Sequence, residues 1–91
     1  MIVADKKNFA KLFETRQGQI LVKLGEGDFG APEVRYYLTT TGEFGVCEKA
    51  LPYENSPVGV KKARAYFDAV DEHVAMQMRD GIETMLAEAL A

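Results

Sequence analysis

Glu33-Val34-Arg35-Tyr36-Tyr37-Leu38-Thr39-Thr40 decides how this chain folds. Val34, Tyr36 and Leu38 alternate with Arg35, Tyr37 and Thr39, and aromatic and β-branched residues at period two mark a half-buried strand. Upstream, Gln19–Leu24 repeats the pattern, with Ile20, Val22 and Leu24 against Leu21 and Lys23. Downstream, Phe44–Leu51 is less regular, because Val46 and Ala50 share a face with Glu48, which reads as a bulge or an edge. Thr41-Gly42 gives a tight connection between the second and third runs. No connection is long enough for a crossover helix, so the three strands are expected to form an antiparallel meander.

Helices are expected on both sides of these strands. At the N-terminus Asp5 is placed as a cap, Phe9, Leu12, Phe13 and Arg16 follow at three- and four-residue steps, and Gly18 is placed to end the helix. At the C-terminus Ser56-Pro57 is a capping hydroxyl followed by a proline at the first helical position. From there Val60, Ala63, Phe67, Val70, Val74, Met78, Ile82, Met85 and Ala89 recur at the period of a straight α-helix. One helix of that span would be ~45–50 Å long, more than so short a chain can cover. Asp80-Gly81 is therefore expected to break or bend it, or its far half to pack on another chain. The fold class is α+β, with residues 1–91 as one α-β-β-β-α domain.

The chain has 91 residues, 47% of them hydrophobic and 27% charged, which fits one globular domain and argues against wholesale disorder. No run approaches the ~18 apolar residues of a membrane span, and there is no export-signal pattern. A single cysteine leaves no internal disulfide framework and makes a zinc cage implausible, so the expected location is the cytoplasm. The net charge of −3 hides a division. Residues 1–67 carry ten Lys and Arg against eight Asp and Glu, whereas residues 68–91 carry Arg79 against Asp68, Asp71, Glu72, Asp80, Glu83 and Glu88.

Two local strings invite comparison with known families. Leu24–Gly30, containing Gly25-Glu26-Gly27-Asp28-Phe29-Gly30, fits G-x-G-x-x-G and resembles the glycine-rich phosphate loop of protein kinases. The resemblance implies a small-nucleotide site, and a small-nucleotide or small-molecule binder at Gly25–Gly30 is the third functional reading, but the resemblance covers only seven residues, and Glu26 and Asp28 would repel phosphate. The blander reading is a flexible hairpin loop. The second string, Val58-Gly59-Val60-Lys61-Lys62-Ala63-Arg64, opens the C-terminal helix. Together with the expected element order it is similar to the double-stranded RNA-binding domain, and the resemblance implies lysines that grip phosphates across a groove. It departs from that family in the spacing of the third basic residue and in Gly30-Ala31-Pro32-Glu33, where the family carries a histidine-bearing loop.

Basic and acidic surfaces give the functional expectations. Lys23, Arg35 and Tyr37 should point away from the helices and, with Lys61, Lys62 and Arg64, form the alternative nucleic-acid-binding set. The leading expectation is instead a non-enzymatic protein-interaction module, dimeric, that docks on a basic partner surface. Asp68, Asp71, Glu72, Asp80 and Glu83 would steer it and Met76, Leu86 and Leu90 would anchor it. Asp71 falls at the edge of the helix's buried stripe, where a carboxylate needs a partner, and Met76 falls opposite the stripe. An inhibitor that places carboxylates where phosphates would sit is one form of this reading. No cofactor, metal or membrane is expected. Cys47 and His73 do not combine with any feature that activates a thiol, Ser56 is used as a cap, and Asp68, Glu72 and their neighbours read as a solvated acidic face, so no catalytic residue is assigned.

Overall fold

The computed structural model describes residues 2–4, 9–16, 18–27, 30–39 and 49–90. Five antiparallel strands, β1 (Ile2–Ala4), β2 (Ala10–Thr15), β3 (Gly18–Glu26), β4 (Pro32–Leu38) and β5 (Lys49–Pro52), lie in chain order in one sheet. Two helices, α1 (Pro57–Ala69) and α2 (Glu72–Leu90), follow them and cover one face. The α+β class and the antiparallel meander hold, with two strands more than expected. The proposed Thr41-Gly42 turn, the Val46–Glu48 bulge and Cys47 lie outside the described residues.

The expected N-terminal helix is a strand hairpin instead. Register pairs Ile2 with Phe13, and then Phe13 with Ile20 and Ile20 with Leu38, so one row crosses four strands. Gly18, expected to stop a helix, takes φ of 125° just after the two-residue turn between Thr15 and Gly18, a conformation that a side chain would resist. The spacing of Phe9, Leu12 and Phe13 was compatible with a helix, but β3 offers β2 a full ladder of backbone partners, and a lone helix with three apolar residues has no such support.

The helix-facing side of the sheet is dry. Phe13, Ile20, Val22, Val34, Tyr36 and Leu38 are buried and meet Phe67, Val70, Ala75 and Ile82 from the helices. Ser56 caps α1 as expected, its Oγ accepting from the Gly59 amide at 3.1 Å. Gly59 is required there because a Cβ would collide with the backbone carbonyl of Glu54.

The C-terminal segment is broken, though not at Asp80-Gly81. The first helix ends at Ala69, Val70 is extended at φ −66° and ψ 118°, and α2 runs uninterrupted from Glu72 through Gly81 to Leu90. Two side chains stabilise this break. Asp71 accepts from the Val74 amide at 2.9 Å, capping α2. From β2, the Lys11 ammonium donates to the carbonyls of Phe67 (2.6 Å), Asp68 (3.1 Å) and Val70 (3.1 Å), and lies 4.8 Å from the centre of the Phe67 ring. A cation thus satisfies carbonyls that a helix end leaves open. Burial draws the Lys11 pKa below the ordinary lysine value, and the charge of Asp68 opposes that shift.

Replacing Lys11 by Met keeps the aliphatic stem and removes the donor, and should cost about 1–3 kcal/mol, read as a lower urea midpoint at unchanged m-value. Gly81→Ala should instead stabilise the protein by about 0.5–1 kcal/mol in the same assay, because Gly81 is exposed inside a continuous helix with open space where the Cβ would go.

Candidate functional site

The expected acidic surface is only partly assembled. Asp68, Glu72, Asp80 and Glu83 are all exposed, but Asp68 pairs with Arg64 at 3.2 Å one helical turn away, and Asp80 pairs with Arg79 at 3.2 Å. Asp71 has the partner its position called for, as the cap of α2 rather than as a docking group. Met76 is half-buried against the core instead of standing opposite it, because the break at Val70–Asp71 rotates α2 relative to an unbroken helix. With Glu72, Met76 lines a hollow of about 310 Å³ that also takes in Glu14, Thr15 and Arg16. The side chains of Leu86 and Leu90 lie outside the described set.

What sequence reasoning missed is Arg79. It is the only cation on α2, yet it is 5% exposed and turned toward the sheet, where it donates to Thr15 Oγ1 at 3.0 Å. Thr15 in turn donates to the Gly18 carbonyl at 2.6 Å, joining the β2–β3 turn to α2. The outer face of α2 is left with Glu72, Asp80, Glu83 and Glu88 and no Lys or Arg. Beyond Ile82, the last buried residue among those whose burial is described, Met85 is 60% exposed.

The alternative basic set is split between two faces. Lys23 and Arg35 are directly opposite each other on β3 and β4, on the side of the sheet away from the helices. Lys61 and Lys62 are exposed on α1, on the other side. Tyr37 shares the outer face but is 8% exposed, with the Lys23 ammonium 5.6 Å from its ring centre, so it offers little surface for a base to stack on. Arg35 is held by Glu33, which raises its pKa further, and donates to the Glu26 carbonyl at 2.9 Å. The element order that suggested an RNA-binding domain also changes, since residues 10–15 form a strand.

Arg64 is on α1 with Lys61 and Lys62 but has different surroundings. It lines a cavity of about 260 Å³ with Phe9, Leu24, Gly25, Glu26, Gly30, Pro32 and Val60, beside the glycine-rich loop. The loop itself is poorly suited to phosphate. The Gly27 amide donates to Ala31 at 2.7 Å and the Gly30 amide to Gly27 at 3.2 Å, so these two donors are used within the loop, and the Glu33 carboxylate fills the space beside Gly27. Asp28 and Phe29 lie outside the described residues.

Tyr36 and Tyr66 share a hydrogen bond of 2.7 Å between their hydroxyls on the buried side of the sheet. Burial, reinforced by that bond, pushes the Tyr36 hydroxyl far above the ordinary phenol range, and burial also raises Tyr53. Among the described residues, no three His, Cys, Asp or Glu side chains converge on a point that could hold a metal ion. No described helix is long and apolar enough to cross a membrane. Compared with known proteins, the chain matches no family model, no curated protein and no solved structure.

A phenol whose pKa is raised on folding favours the folded state only while it is protonated. Stability should therefore hold below the ordinary phenol value of 10.0 and fall as pH rises above it. In pH-jump denaturation at pH 9–11, Tyr36→Phe should weaken that decline, which one such group can drive by at most ~1.4 kcal/mol per pH unit.

Proposed function

We propose that this chain is a non-enzymatic interaction module that docks on a basic partner surface through the outer face and exposed end of α2. The observation that supports it is the burial of Arg79: with its one cation turned inward, α2 presents only acidic and neutral groups to solvent. Such a face accelerates encounter with a basic surface, and an exposed Met85 among carboxylates supplies an apolar anchor of the kind that holds a complex once formed. The working residues of this reading are Glu72, Glu83, Met85 and Glu88; Asp80 is set aside because Arg79 holds it. Asp68 and Asp71 are set aside because Arg64 and the Val74 amide already engage them.

A basic cleft that otherwise receives nucleic-acid phosphates fits this charge pattern, and an antagonist role follows if α2 occupies such a cleft. Nucleic-acid binding by the chain itself has less support, because its basic residues divide between opposite faces of the sheet. A second copy of the chain is the simplest way to cover the end of α2.

The test combines Glu83→Lys, Glu88→Lys and Met85→Ser in one variant and compares affinity capture from the native host with the unaltered protein. The variant should lose the captured partner, and capture by the unaltered protein should weaken steeply between 50 and 300 mM salt, values chosen to span the screening range. Equal capture by both proteins, independent of salt, would refute the reading. Light scattering on the two proteins reports separately whether the end of α2 holds a second copy.

A further inference from the structure

We propose that the cavity between the glycine-rich loop and α1 binds a small organic acid, with one carboxylate on Arg64 and an apolar, ring-sized body against Phe9, Leu24 and Val60. This inference does not depend on the role given to α2. Of the large hydrophobic residues left exposed, Phe9 at 44% and Val60 at 55% both wall this one cavity. They leave apolar surface in water that an occupant would cover.

The anion requirement comes from Arg64. Its guanidinium lies 5.6 Å from the Phe9 ring centre and 5.8 Å from that of Phe67, which fixes its position. Asp68 takes only the Nε edge, at 3.2 and 3.3 Å to its two oxygens. The terminal nitrogens make no hydrogen bond among the described residues, and a planar fork of N–H groups matches a carboxylate in a bidentate pair.

Size and charge narrow the class. About 260 Å³ falls just below the ~300–1,000 Å³ usual for small-molecule sites, which suits a single ring better than a nucleotide. The loop amides of Gly27 and Gly30 are already used, and Glu26 stands on the cavity wall, so a polyanion finds one cation and at least one repelling carboxylate. A single negative charge directed at Arg64 avoids that conflict.

The experiment titrates the full chain with 3-phenylpropionate, 3-phenylpropionamide and AMP, followed by amide chemical shifts. The acid should give saturable shifts centred on Gly25, Gly30, Val60 and Arg64, with the neutral amide at least tenfold weaker and AMP weaker still. Arg64→Gln should reduce the acid to the affinity of the amide, and Val60→Trp, which fills the cavity, should abolish binding of both. Equal affinity for acid and amide, an unchanged Arg64→Gln titration, tighter binding of AMP, or shifts centred elsewhere would each overturn the assignment. Because the Arg64 side chain is 36% exposed, its substitution should leave the fold's spectrum intact; if it does not, the acid–amide comparison on the unaltered chain and on Val60→Trp still decides. The α2 triple variant should bind 3-phenylpropionate normally, which separates failure here from failure of the interaction reading.

Discussion

A single ammonium group organises the helical layer. Lys11 reaches from the second strand to the end of α1 and takes up the carbonyls of Phe67, Asp68 and Val70. Without such a donor, the Asp68 and Val70 carbonyls would lose this partner beside a dry core, and the Phe67 carbonyl would keep only the Val70 amide at 3.2 Å. With it, the chain can turn at Val70, and Asp71 can start a second helix in a new rotational phase. That phase turns Ala75, Arg79 and Ile82 toward the sheet and leaves the acids outside. The surface chemistry of α2 is thus a consequence of one strand-to-helix contact.

The central strands were legible because their alternation is simple. Val34, Tyr36 and Leu38 are all buried, as are Ile20 and Val22, and each belongs to the face that period two assigns it. The second strand was not legible, because its buried face carries polar residues. Lys11, Phe13 and Thr15 point toward the helices while Leu12 points away, so hydropathy along Ala10–Thr15 gives the wrong alternation. Lys11 and Thr15 are on that face because the helices need their donors and acceptors, a requirement that exists only after the helices have docked.

The helix break was hidden for a related reason. Phe67, Val70 and Val74 continue the apolar spacing without interruption, whereas the exposed glycine at position 81, the most conspicuous local breaker, sits inside a helix that tolerates it. The one available signal was Asp71, a carboxylate on the edge of a buried stripe with no obvious partner. Its partner is an amide of the next helix, the usual occupation of such a residue at a helix start. The glycine-rich string reads as a flexible hairpin loop, and the cavity beside it was not legible in the sequence. Arg64 became part of it only because Phe9, far away in sequence, supplies the opposite wall.

The order of strands in the sheet equals their order in the chain. Each strand therefore zips onto the one made just before it, and the entropy of closing each intervening loop stays small. As the polypeptide leaves the ribosome, a growing ribbon can assemble strand by strand from β1 to β5 while one side stays wet. That side becomes dry only when α1 and α2, which follow the sheet in sequence, roof it, so final locking of the sheet waits on the helices.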